Sequence, residues 1–173
     1  MGEKESIQDI VAQRFRQFLI ANQLRQTKER YAILRAIYDI DGIFTIEELE
    51  QTMQNRRFHV SRSTLYMTAQ LLVQANLLIR HPFSSSSTEF ERITDDRPRS
   101  YLICNNCHHI SRIKSKELAS SLEFYHPRTF SISHRVVYVY GICLKCNRLL
   151  HKQLKLVQKK NKLTTSKNET RKS

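Results

Sequence analysis

The sequence predicts an α+β protein in two parts, a helical first half that ends in a β-hairpin and a smaller α/β second half. Apolar residues recur at helical spacing as far as residue 75. Beyond Asn76, short apolar and alternating runs replace that spacing and indicate strands. Two Cys-x-x-Cys pairs then bracket most of the second half. We expect a first domain over residues 1–94, a linker over 95–100, a second domain over 101–150 and a tail over 151–173.

Four amphipathic helices are predicted in the first half. The first occupies the N-terminal segment, and Thr27 can cap the second. Thr45 and Glu48 have the spacing of a capping box, in which a hydroxyl and a carboxylate satisfy each other's backbone amides, so a third helix begins there. Ser61 can cap a fourth helix over about residues 62–75. The outer face of this fourth helix is polar but weakly charged, which suits contact with a partner better than plain solvation.

A hairpin is predicted directly after these helices. Residues 77–80 and 88–93 are strand-like, and the Pro- and Ser-rich segment 82–87 between them is typical of a turn. Three helices followed by a two-stranded hairpin is the plan of a winged helix-turn-helix domain.

The second half is predicted to alternate strands with one helix. The final strand is apolar on both faces, which is typical of burial on both sides, and in so small a domain a partner subunit could cover one face. The predicted elements are strands over 101–103, 110–113 and 130–140 and a helix over 115–125.

The charge distribution favours a polyanionic partner. The net charge is +13, of which the tail over residues 151–173 carries +7. Such a balance favours nucleic acid first and an anionic membrane surface second. Lys, Asn, Thr and Ser dominate the tail, so we expect it to be frayed or disordered. There is no apolar run long enough to span a bilayer and no secretory signal, so a cytoplasmic protein with no membrane partner is expected.

The two cysteine pairs predict a structural metal site. Cys104 with Cys107, and Cys143 with Cys146, can each present two thiolates from a turn to the same ion. Four thiolates form the closed tetrahedral site typical of structural Zn²⁺, one ion per subunit. Free buried cysteines and a redox dithiol are the alternatives, although a redox motif normally needs only one such pair.

The start of the fourth helix predicts contacts with DNA. In a helix-turn-helix the second helix of the motif enters the major groove, and its first turns reach the base edges. An arginine there can pair with guanine, hydroxyl groups can donate to phosphates, and a tyrosine can meet a thymine methyl or a phosphate. The predicted DNA-contacting residues are Arg25, Arg30, Ser61, Arg62, Ser63, Thr64 and Tyr66.

These motifs together resemble the ferric uptake regulator family over about residues 10–148. The resemblance implies a homodimer in which winged helices read palindromic double-stranded DNA and a C-terminal α/β domain dimerises. It also implies a repressor that responds to a metal or to peroxide. The matching motifs are Leu24-Arg25-x-Thr27-x-x-Arg30, Thr45-x-Glu47-Glu48-Leu49, Val60-Ser61-x-x-Thr64-Leu65-Tyr66, Ala75-Asn76-Leu77-Leu78, Phe90-Glu91, Cys104-x-x-Cys107 and His134-x-x-x-Tyr138-x-Tyr140-Gly141-x-Cys143-x-x-Cys146.

The sequence also departs from the family's pattern of regulatory metal ligands. Ile43 stands where members usually have a histidine, and residues 97–101 contain none of the histidines usual before the first cysteine pair. Glu91 and His134 are the only candidates that remain of the regulatory ligands. Met67 replaces the arginine that usually follows the recognition tyrosine. The sequence therefore predicts a regulator that keeps the structural zinc and has lost the sensory metal site.

Two other classes remain open from the sequence. A zinc-stapled module that binds RNA or a protein partner is compatible with the loss of several metal ligands. An enzyme, such as a thiol oxidoreductase, is disfavoured because no nucleophile pairs with a base and the predicted metal site has no open position. His108 and His109 fit a polar turn better than a ligand role.

Overall fold

The computed structural model describes residues 6–83, 88–95 and 97–169. The chain divides into two compact units, residues 1–97 with 125–135, and residues 98–124 with 136–173. The segment Tyr125–Arg135 therefore groups with the first unit, although the sequence analysis placed it in the second domain. Of the predicted linker over 95–100, Asp96 lies outside the described residues.

The first unit contains the four predicted helices: α1 (Ile7–Ala21), α2 (Lys28–Asp39), α3 (Ile46–Asn55) and α4 (Arg62–Gln74). The predicted caps are confirmed, because the side chains of Thr27, Thr45 and Ser61 each accept a hydrogen bond from the backbone N–H three residues later. The capping box of Thr45 and Glu48 is complete in both directions. Each helix therefore begins where a hydroxyl satisfies an otherwise unpaired amide.

A three-stranded antiparallel sheet completes the first unit. Strands β2 (Leu78–His81) and β3 (Glu89–Arg92) form the predicted hairpin, while residues 84–87 of its predicted turn lie outside the described residues. Strand β1 (Ile43–Thr45) pairs with β3 on the other side, so the order is β1-β3-β2. The sequence does not predict β1, because three residues are too few to show the alternation typical of a strand.

One apolar core joins the helices to this sheet. Phe44 of β1 and Phe90 of β3 are fully buried, with ring centroids 6.0 Å apart. On α4, Leu65, Ala69 and Leu72 are fully buried, whereas Ser63, Met67 and Gln70 are exposed. The core thus fixes α4 by one face and leaves the opposite face free.

The second unit is built on a second three-stranded sheet. Strands β4 (Arg99–Cys104) and β5 (Ile110–Arg112) are antiparallel, and β4 pairs in parallel with β6 (Val136–Gly141), giving the order β5-β4-β6. Helix α5 (Lys116–Phe124) follows β5 in the chain, and helix α6 (Leu144–Glu169) follows β6. No helix of the described chain combines the length and hydropathy needed to cross a bilayer.

Two segments of this half differ from the sequence predictions. The strand predicted over 130–140 begins only at Val136, because its partner β4 begins at Arg99, which lies opposite Val136. Residues 130–135 have no neighbouring strand to complete a ladder.

The tail over residues 151–173 is predicted from the sequence to be frayed or disordered, yet α6 continues to Glu169. The chain beyond Gly141 contains neither glycine nor proline and many lysines and leucines, which are good helix formers. Residues 170–173 lie outside the described residues.

Candidate metal centre and nucleic-acid interface

The two cysteine pairs meet at one edge of the second sheet. Strands β4 and β6 are parallel neighbours, and Cys104 lies opposite Gly141, so the chain leaves both strands at the same edge. Cys107 lies in the turn after β4, whereas Cys143 directly precedes α6 and Cys146 lies in its first turn, not in a turn after a strand as the sequence predicts. The backbone amide of Asn105 donates to the carbonyl of Gly141 at 2.8 Å and ties the two strand ends together. As a result, the Sγ atoms of all four cysteines lie within 4.8 Å of one another.

The electrostatics of this cluster suit a divalent cation. The backbone N–H of Cys143 donates to Cys104 Sγ at 3.3 Å, and this hydrogen bond, together with one from the backbone of Cys107, lowers the pKa of Cys104 to about 6. The Asn106 side chain lowers the pKa of Cys146, but the nearby thiol of Cys107 and burial outweigh it and raise that pKa to about 11. One thiolate therefore forms readily, whereas a further one is opposed by its neighbours until a cation balances the charge. This donor set fits tetrahedral Zn²⁺, for which thiolates are preferred ligands.

Glu91, a candidate regulatory ligand, is buried and already paired with another side chain. His81 Nε2 donates to Glu91 Oε2 at 3.1 Å, and both side chains are almost completely buried. The His81 ring stacks on Phe83 with centroids 4.5 Å apart. Across the sheet, Ile43 of β1 lies opposite Glu91, and its aliphatic side chain offers no metal ligand there. The carboxylate of Glu91 is thus held by an imidazole of its own sheet.

The other candidate ligands are not gathered into a site. His134 is exposed in the segment before β6, where its Nδ1 lies 3.1 Å from Ser133 Oγ. His108 and His109 are exposed in the turn between the first cysteine pair and β5. Within the described parts of the chain, the four cysteines are the only group of three or more Cys, His, Asp or Glu side chains placed to share one ion. Glu91 and His134 do not belong to such a group.

The predicted DNA-contacting hydroxyls cluster at the start of α4. Ser61 Oγ accepts from the backbone N–H of Thr64 at 3.2 Å and lies 2.9 Å from Ser63 Oγ and 2.8 Å from Thr64 Oγ1. The first turn of α4 contains no acidic residue, so nothing on this helix offsets the positive end of its dipole. The arrangement is able to bind a phosphate oxygen.

Arg62 lies in the same turn and forms an ion pair with Glu47 of α3. The two side chains are 50% and 55% exposed, so solvent and any docked ligand can reach both. Helices α3 and α4 pack against each other, and the pair joins their N-terminal turns.

The remaining predicted contacts lie further along α4 and at the start of α2. Tyr66 is half-buried against the core and lines a groove of about 260 Å³ with Gln70, Arg80 and Thr88, between α4 and the hairpin. Arg25 is exposed, and its carbonyl accepts a hydrogen bond from the guanidinium of Arg30. Arg30 therefore shapes the loop before α2 as well as carrying a charge.

The sequence does not predict a role for two residues of these sites, His81 and Glu47. His81 gave no signal by itself, and only the register of β2 on β3 places it diagonally from Glu91, two residues along the hairpin on the same face. Glu47 belongs to the first turn of the third helix and to a motif of the family resemblance, but the sequence predicts no contact for it. Its contact with Arg62 depends on how α3 packs against α4.

A family model and the sequences of known proteins indicate the same family for this chain. The family model described as "Ferric uptake regulator family" matches residues 21–140. A ferric uptake regulation protein of Campylobacter jejuni is 25% identical over 142 residues, which cover 80% of this chain and 90% of that protein.

Solved structures of the same family share the fold. The ferric uptake regulator of Pseudomonas aeruginosa with manganese superposes with a TM-score of 0.60 at 19% identity, covering 73% of this chain and 95% of that one. The Helicobacter pylori regulator, described as having three functional metal-binding sites, gives 0.58 at 20% identity, covering 85% and 97%. At these identities the likeness establishes the fold alone.

Proposed function

The chain belongs to the ferric uptake regulator family of DNA-binding transcription regulators, and on that premise we propose that it is a homodimeric repressor that binds a palindromic operator in the cytoplasm. Helix α4 of each subunit enters the major groove. Arg62 contacts a guanine, Ser61, Ser63 and Thr64 contact phosphates, and Tyr66 contacts a thymine methyl or a phosphate. Arg25, in the loop before α2, and Arg30, in the first turn of α2, add attraction to the DNA backbone.

The observation that carries this proposal is the first turn of α4. The turn brings together an exposed arginine, three hydroxyl groups and a helix N-terminus without an acidic residue. The chain as a whole has a net charge of +13, which favours the approach of a polyanion.

The homodimer is supported by apolar side chains exposed on the second unit. Leu102 of β4 and Val139 of β6 lie opposite each other in the sheet and are 48% and 43% exposed. Phe124, at the end of α5, is 84% exposed. A second copy of the chain would bury such surface, and two-fold symmetry in the protein would match a palindromic operator.

We further propose that each subunit holds one structural Zn²⁺ on Cys104, Cys107, Cys143 and Cys146 and that the sensory metal site is lost. The ion would close the edge where β4 and β6 end, and it has no open coordination position for catalysis. Loss of the sensory site is supported by the pairing of Glu91 with His81 and by the position of Ile43 opposite Glu91. DNA binding is then constitutive or controlled by a signal other than a metal.

Selection from a random pool of duplexes tests the DNA-binding role. We expect an enriched palindromic sequence, bound at least about 10³-fold more tightly than a scrambled duplex at the same salt concentration. Equal affinity for the selected and scrambled duplexes, or a preference for RNA, would contradict the proposal.

Metal content per subunit tests the rest of the proposal. The protein is purified under reducing conditions and measured again after loading with iron, manganese and zinc. One zinc and no second tightly bound ion is expected, with operator affinity unchanged by added metal. A second ion, together with operator binding that depends on it and is lost in Glu91→Gln or His134→Gln, would show that the sensor is intact.

A further inference from the structure

The ion pair between Arg62 and Glu47 links the residue best placed to read a base to a carboxylate on the preceding helix. Arg62 is the first residue of α4, and a cation there is opposed by the positive end of the helix dipole. Since the first turn of α4 contains no acid, Glu47 of α3 supplies the opposing charge.

Glu47 is not needed to cap its own helix. The capping box of α3 uses Glu48, whose carboxylate accepts from the backbone N–H of Thr45 at 2.8 Å. The carboxylate of Glu47 therefore takes no part in the capping box and contacts the guanidinium of Arg62 instead. Both groups are about half exposed, so the pair is weak enough to exchange partners when a ligand docks.

A phosphate and a guanine compete differently for this arginine. A phosphate can accept two hydrogen bonds from a guanidinium, but its negative charge is repelled by the carboxylate of Glu47. A guanine also accepts two hydrogen bonds, at O6 and N7, and carries no net charge, so Glu47 does not repel it. A carboxylate beside Arg62 therefore opposes a phosphate contact more than a guanine contact.

We propose that Glu47 is a specificity-determining residue. It disfavours contact of Arg62 with the phosphates of random DNA and permits contact of Arg62 with a guanine of the operator. The inference rests on the proposed role in DNA binding and concerns the same helix. Its consequence is that Glu47 lowers non-specific affinity more than operator affinity.

The test measures binding of the full-length protein to the selected duplex and to a scrambled duplex of equal composition, as a function of salt. Glu47→Gln is expected to raise affinity for the scrambled duplex by about 2- to 5-fold, and to change operator affinity by less than about 2-fold. Because the freed Arg62 would then neutralise a phosphate, the slope of log K against log salt on the scrambled duplex should steepen by about one. Glu50→Gln removes a carboxylate from the same helix and should leave that slope unchanged.

The double variant Glu47→Gln/Arg62→Gln separates the pair from a general charge effect. In the Arg62→Gln background, Glu47→Gln should no longer steepen the slope. An unchanged slope in Glu47→Gln, an equal effect of Glu50→Gln, or an effect that persists without Arg62 would overturn the proposal while leaving operator binding intact. Failure of the wild-type protein to enrich any duplex would overturn the proposed function and this inference with it.

Discussion

At the scale of single residues, the β1-β3-β2 sheet of the first unit contains a buried polar pair. Glu91 is 6% exposed and His81 is 3% exposed, and a buried carboxylate is costly unless hydrogen bonds compensate it. The imidazole of His81 supplies such a bond from the neighbouring strand. A position that the family resemblance marks as a regulatory ligand is therefore occupied here by an internal interaction.

Breaking this pair should destabilise the first unit. His81→Gln and Glu91→Gln are each expected to lower the free energy of unfolding by about 1–3 kcal/mol, because each disrupts a hydrogen bond between two buried side chains. The double variant should lose less than the sum of the two, since the same hydrogen bond is lost only once. Denaturant unfolding followed by circular dichroism measures these losses. His59→Gln, at an exposed position, serves as the control, and strictly additive losses would show that the two side chains do not interact.

At the scale of elements, the hydroxyl groups at the start of α4 have two roles, one in capping the helix and one in the proposed contact with DNA. Ser61 Oγ caps the helix through the amide of Thr64, and the same hydroxyl cluster is proposed to face phosphates. A variant of Ser61 therefore changes both helix stability and DNA binding unless the two effects are separated by choice of residue.

Two substitutions of Ser61 make that separation. Ser61→Asp keeps a good capping side chain, so stability should hold, while the added charge should weaken DNA binding by about tenfold or more through repulsion of phosphate. Ser61→Ala removes the cap and should lower the free energy of unfolding by about 1 kcal/mol. Thermal unfolding and DNA titration give the two readouts. If the DNA affinity of Ser61→Asp equals that of the wild type, the DNA phosphates do not contact the start of α4.

At the scale of the whole molecule, the stability of the two units has different sources. The first unit has an apolar core of helices and sheet with Phe15, Leu34 and Phe90 almost completely buried. In the second unit α5 has no buried residue, and the buried side chains of that unit lie mainly on β4. A unit with so small a core commonly needs a metal ion or a partner subunit to remain folded.

Removal of zinc should therefore unfold the second unit selectively. After chelation under reducing conditions, we expect the loss of one thermal transition and of dimers, while helical circular dichroism from the first unit persists. Zinc added back should restore the wild-type protein but not Cys143→Ser. Persistence of the dimer in metal-free protein would contradict a structural role for the site.

The basic tail should add affinity without adding selectivity. Replacing the five lysines 152, 155, 159, 160 and 162 by glutamine removes charge from α6 while retaining a good helix former. Affinity for a scrambled duplex at low salt should fall by about 3- to 10-fold, with a shallower salt dependence. The same fall for the operator would leave the preference between the two duplexes unchanged. Equal affinity of the variant and the wild type at all salt concentrations would show that the tail does not touch DNA.

The sequence by itself determined the helices of the first half, the caps of α2, α3 and α4, the hairpin and the cysteine pairs, because each depends on residues close together in the chain. Thr45 and Glu48 are three residues apart, as are the two cysteines of each pair. Such local signals are complete before any long-range contact forms.

Only the tertiary structure decided which distant side chains meet. The register of β2 on β3 places His81 beside Glu91, and the packing of α3 against α4 places Glu47 beside Arg62. The parallel pairing of β4 with β6 brings the two cysteine pairs to one edge and starts the final strand at Val136. The physical reason is common to all three: a pairing between elements is fixed by burial and register, which no short stretch of sequence carries alone.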